Sequence, residues 1–94
     1  MKLYKYALFL LSLALFCSPF ACDKGKNHSE IADGLVKENR LDEALAEYTK
    51  AIEFFSEAIK IDPQNYESYY GRGNCYFNLK SFEFALEDLN SALI

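Results

Sequence analysis

The stretch YYGRGNCYFNLKSFEFALEDLNSA, residues 69–92, decides the fold. Small and wide residues alternate in it at fixed offsets. Gly73 and Ala85 carry almost no bulk, whereas Tyr69, Tyr76, Phe82 and Leu89 carry a great deal. Narrow residues on two facing helices let the backbones approach, and wide side chains then fill the surrounding grooves. The apolar spacing predicts one helix over Tyr66–Leu79 and a second over Phe82–Ile94, with Ser81 placed to cap the second.

Upstream, Asp62-Pro63-Gln64-Asn65 must stop any preceding helix, because proline cannot continue one. Before that stop, Leu41, Ala44, Leu45, Tyr48, Ala51, Ile52, Phe55, Ala58 and Ile59 keep one apolar face for about five turns. Glu38-Asn39-Arg40 separates this segment from Ile31, Ala32, Leu35 and Val36, which also recur at helical spacing. Nothing alternates at period two for long enough to suggest a strand. The chain reads as all-α, with connections short enough to force antiparallel neighbours.

These offsets resemble the tetratricopeptide (TPR) repeat, a 34-residue helix–turn–helix with the pattern W-x₂-L-G-x₂-Y, A-x₃-F and P. Tyr69 takes the Trp position, followed by Gly73, Tyr76, Ala85, Leu89 and Ala92, and Asp62-Pro63 resembles the turn that closes a repeat. An earlier repeat shows His28 in the Trp position, then Ala32, and Ala44, Tyr48 and Ala51 in the second helix. Its closing Pro63 arrives seven residues late. Tyr48–Ile52 and Phe55–Ile59 look like one heptad written twice, and seven residues turn the apolar face by only about 20°. The expectation is a continuous helix Leu41–Ile61 and a domain over 28–94. Repeat one then spans about 28–63 with a seven-residue insertion, and an incomplete repeat two spans 66–94.

The resemblance implies a short α-solenoid of antiparallel helix hairpins that binds a protein or peptide along the groove lined by the first helix of each repeat. Carried over, that face offers Tyr70, Asn74, Phe77 and Asn78 from repeat two, and Asp33, Val36 and Lys37 from repeat one. Family members that hold a terminal carboxylate use asparagines and lysines, a scheme that Asn74 fits and Asp33 opposes. Two repeats leave Leu86, Leu89, Leu93 and Ile94 poorly covered. Either two copies pair through that side as a homo-oligomer, or the chain is part of a longer array.

The N-terminal third reads differently. Lys2 and Lys5 precede an apolar run from Ala7 to Phe16 interrupted only by Ser12, the layout of a secretory signal peptide over residues 1–21. Ala21-Cys22 resembles the cleavage box of bacterial lipoproteins, in which the cysteine becomes the first mature residue and carries lipid. That resemblance implies an exported protein of the bacterial cell envelope, anchored to a membrane through Cys22, with Asp23–Asn27 a polar tether. The alternatives are a soluble periplasmic or secreted form and an uncleaved membrane anchor. A Cys22–Cys75 bridge is open only if Cys22 stays unlipidated.

The 94-residue chain carries a net charge of −4, and removing residues 1–21 takes away two lysines and no acid. Eight basic residues then face fourteen acidic ones, a net charge of −6. That sign argues against nucleic acid, which needs a basic footprint. No catalytic constellation is present. His28 is the single histidine, so a histidine-rich metal site is excluded, and no cofactor is implied. Cys75 lacks a basic neighbour to activate it. Gly71-x-Gly73 has no third glycine or preceding strand, which leaves helix packing as its use. A non-enzymatic interaction module is the expectation.

Overall fold

In a computed structural model of the chain, four helices follow one another: α1 (Lys2–Lys37), α2 (Leu41–Ile61), α3 (Tyr66–Asn78) and α4 (Phe82–Leu93). The structure describes the backbone of residues 2–93 and the side chains of residues 20–93. The side chains of the expected signal sequence up to Pro19, and Ile94, lie outside the described residues. Helix α1 packs on α2 and α3 on α4, and the two hairpins stack through α2–α3 and α1–α3 contacts. The fold is all-α, built from antiparallel hairpins of the TPR type.

Both hairpins turn in the same way. Asn39 and Lys80 adopt left-handed backbone with φ of 61° and 63°. After α1, the Arg40 N–H donates to the Leu35 carbonyl at 2.9 Å and the Asn39 N–H to Val36 at 3.0 Å. After α3, the Ser81 N–H donates to Tyr76 at 2.8 Å and the Lys80 N–H to Phe77 at 2.9 Å. These paired bonds form a Schellman motif, which satisfies carbonyls that a helix end leaves orphaned. Between the hairpins, Asp62 folds back to accept from the Gln64 N–H at 3.1 Å, and the Asn65 side chain caps α3 by accepting from the Ser68 N–H. Pro63 sits exposed in this turn.

Helix α2 is unbroken, as its doubled heptad requires. It buries Ala44, Tyr48, Ala51, Phe55 and Ala58 on one face. An antiparallel partner must lengthen by the same two turns, and α1 does so at its upstream end. Residues 23–27, expected as a tether, are helical, and Ala21, Cys22 and Gly25 are buried under α2. Among the described residues, the packed face of α1 therefore reaches upstream of His28 to Ala21. His28 is half-buried. Its ring stacks on Phe54 at 5.3 Å between centroids, and its Nδ1 meets Glu47 Oε2 at 2.6 Å.

Close packing uses the glycines. A Cβ on Gly73 would lie 3.1 Å from Leu89 and 3.2 Å from Asp88, so α3 meets α4 through the small residue. A Cβ on Gly25 would lie 2.8 Å from the Phe55 ring. The Gly25–Phe55 crossing in hairpin one thus repeats as Gly73–Leu89 in hairpin two. From the other side Gly71 presses on the same Phe55 ring, where a Cβ would come within 2.4 Å. Phe55 is fully buried between two glycines, one from α1 and one from α3. Ala32, Ala44 and Tyr48 are buried too, one heptad nearer the α1–α2 turn. Ala85 is buried, whereas Tyr69, Tyr76, Leu89 and Ala92 are half-buried.

Arg72 ties three helices together. Its Nε and Nη2 donate to the two carboxylate oxygens of Asp88 on α4, each at 2.8 Å. Its Nη1 donates to Ser56 Oγ on α2 at 3.1 Å. Asp88 is only 5% exposed, and its hydrogen bonds and charge hold the Arg72 guanidinium protonated above the ordinary arginine range.

Candidate protein-binding groove

The first helices of the two hairpins, α1 and α3, line most of a groove of about 660 Å³, to which α2 adds Phe55 and α4 adds Leu89, Ala92 and Leu93. One wall is an i, i+4 stripe on α3: Tyr66, Tyr70, Asn74 and Asn78. The opposite wall is α1, with Lys26, Ser29, Glu30 and Asp33. Lys26 Nζ reaches across to Glu67 Oε2 at 3.0 Å, and this bond raises the lysine above its ordinary range.

The groove floor contains a polar junction of three helices. Tyr48 of α2, 4% exposed, donates its hydroxyl to the Asp33 carboxylate of α1. Burial, and then that hydrogen bond, push the Tyr48 phenol well above its ordinary range, while the Asn78 amide of α3 works the other way. The phenol is therefore a fixed donor that orients Asp33. Cys75 lies beside this junction, and burial followed by the Asp33 charge pushes its thiol up to about 12. A thiol so protonated is a poor nucleophile or metal ligand. Among the described residues, no three of His, Cys, Asp and Glu gather where they could hold a metal ion.

Of the residues expected to face the groove, Tyr70, Asn74, Asn78 and Asp33 line it. The others do not. Phe77 points away from it, 57% exposed and edge-on to Phe82 with ring centroids 5.5 Å apart. Lys37 lies a turn beyond Asp33 on α1, outside the lining. Val36 and Lys37 fall outside the lining for one reason. The hairpin is longer by seven residues in both helices, so the α1 positions facing α3 lie upstream of those read by the simple repeat. Lys26, Ser29 and Glu30 were missed for the same reason. Tyr66 was missed because it stands in the first turn of α3, outside the repeat pattern.

Residues 49–80 match the family model described as TPR repeat. The matched span covers the second half of α2, the Asp62–Asn65 turn, all of α3 and its Schellman turn. This is the Phe55 heptad, the one on which α3 stacks, rather than the Tyr48 heptad nearer the α1–α2 turn. Over 87 residues the chain is 31% identical to the Bos taurus protein named BBSome complex member BBS4. That alignment takes in 93% of this chain and 15% of the relative, so the chain spans a small part of that protein's length. The TPR match, the hairpin geometry and the open groove agree on a helical-repeat scaffold of the kind that mediates protein contacts. Among the described residues no helix is long and apolar enough to cross a membrane.

Proposed function

We propose that this chain is a non-catalytic interaction module that binds another protein through the α1–α3 groove and is held at a bacterial envelope membrane by lipid on Cys22. One observation carries the binding reading. The groove presents aromatic and amide side chains in one row, Tyr66 and Tyr70 (64% and 57% exposed) followed by Asn74 and Asn78 along one face of α3. Asparagines next to them offer donors and acceptors to an extended backbone.

The anchor reading rests on sequence: a basic start, an apolar run, and Ala21-Cys22 followed at once by charge. In the full-length chain Cys22 is 3% exposed inside α1. Cleavage before Cys22 would make it the helix's first residue, free to fray and turn its sulfur outward. Gly25 would then be the first residue held by Phe55.

Two variants test the two halves separately. Cys22→Ser should move the protein from the membrane fraction to the soluble fraction. Unchanged membrane association would refute lipid anchoring. Tyr70→Ala with Asn74→Ala should abolish crosslinked partner capture from the native envelope without unfolding the chain, and retained capture would refute the groove. A second reading, self-association, draws on Leu86 and Leu93, which are 62% and 85% exposed on α4. It predicts a dimer in solution that Leu86→Lys dissociates.

A further inference from the structure

The charges of the groove go further than its shape. Its charged lining is Lys26, Glu30, Asp33 and Glu67. Lys26 and Glu67 neutralise each other across the opening. Glu30 and Asp33 make no ion pair among the described residues, and they share one face of α1 at i, i+3. Tyr48 occupies Asp33 from below with a buried hydroxyl, which fixes the carboxylate toward the groove and leaves acceptor capacity on it. A carboxylate-bearing ligand would meet repulsion here, and a cation would meet a preorganised acceptor.

We infer that the occupant of the groove is an extended peptide segment carrying a lysine or arginine, with the cation seated at Asp33 and Glu30. This rests on the groove reading above and adds the charge of the ligand. Helix α3 has 13 residues, about 20 Å at 1.5 Å per residue, which an extended segment of about six residues covers. Tyr66 and Tyr70 supply faces for the alkyl stem and for cation–π contact. Asn74 and Asn78 are placed to hydrogen-bond the segment's main chain.

The test uses the full chain and two fluorescent, end-blocked hexapeptides of alternating Ala-Lys and alternating Ala-Glu, titrated by anisotropy at low and at physiological salt. The lysine peptide should bind and the glutamate peptide should not. Asp33→Asn and Glu30→Gln should each weaken the lysine peptide by about 2- to 5-fold, the range for partly exposed ion pairs. Glu83→Gln with Glu87→Gln removes two α4 charges that do not line the groove, and should leave affinity unchanged. An equal loss in that control would show only bulk attraction to an acidic protein and would overturn the inference. So would equal binding of the two peptides, or binding of neither. If the lysine peptide bound but ignored Tyr70→Ala and Asn74→Ala, the groove reading itself would fall, not only the charge of its ligand.

Discussion

One substitution made at two places should change stability in opposite directions. Gly34 and Gly71 both lie inside helices, so replacing either with alanine removes the same conformational penalty, about 1 kcal/mol. At Gly34 a new Cβ meets nothing within 4 Å, and the full gain should appear. At Gly71 the Cβ would stand 2.4 Å from the Phe55 ring, about 1 Å inside ordinary contact. The ring has nowhere to go, because Gly25 already presses on it from α1, with a virtual Cβ at 2.8 Å. Overpacking of this kind costs about 1–3 kcal/mol, and a ring with no exposed edge puts it near the upper end. Gly71→Ala should therefore lose about 1–2 kcal/mol net. For a chain of this size each kcal/mol moves the melting temperature by about 4–8 °C. Circular dichroism melts at 222 nm should then show Gly34→Ala about 4–8 °C above the parent and Gly71→Ala about 5–15 °C below it. Phe55→Leu in the Gly71→Ala background should recover part of the loss, giving a coupling of about 1 kcal/mol in a double-mutant cycle. If Gly71→Ala were as stabilising as Gly34→Ala, Phe55 would not be clamped between the hairpins and the stacking would be wrong.

Further outcomes follow from particular contacts. Asp88→Ala strands the Arg72 guanidinium, which is 21% exposed, and should cost about 2–4 kcal/mol in urea unfolding. That is slightly below the range for a fully buried broken pair. Lys80→Gly relieves a left-handed residue at the α3–α4 turn and should stabilise by about 0.5–1 kcal/mol in the same assay. Glu47 titrates below the ordinary carboxylate range because His28, then Lys50, bonds its charged form. A depressed folded-state value contributes stability above the unfolded carboxylate pKa of about 4.3, which is lost as pH falls through the lower folded value. Glu47→Gln should consequently flatten the acid limb of the melting-temperature profile below about pH 5 and leave its shape at neutral pH unchanged.

The fold was legible because the signal lies in offsets rather than in composition. Gly73, Tyr76, Ala85 and Leu89 have to be small or large where they are for two helices to touch. The doubled heptad in α2 was legible for a related reason, since Ala44, Ala51 and Ala58 hold one face. Its counterpart in α1 was not. Between Ala21 and Asn27 only Ala21, Cys22 and Gly25 face inward, set among charged and polar residues. Glycine ordinarily signals a flexible link, and its use here appears only once Phe55 is opposite it. The groove divides along the same line. Tyr70, Asn74 and Asn78 belong to a helix whose register the pattern fixes, whereas the α1 wall moved upstream with the lengthened hairpin and took Lys37 out of reach. The Arg72–Asp88 pair joins residues on different helices, and no local periodicity reports such a pairing.

The central claim is that the packed face of hairpin one is longer by one matched heptad on both of its helices. Deleting His28–Gly34 from α1 and Asp42–Tyr48 from α2 together should bring Gly25 and Phe55 to the places held by Ala32 and Tyr48. Urea unfolding of the paired deletion and of each single deletion measures the match directly. The paired deletion should unfold cooperatively and be more stable than either single deletion, each of which leaves two turns of helix facing the wrong partner. A single deletion as stable as the parent, or a paired deletion weaker than both singles, would contradict the account.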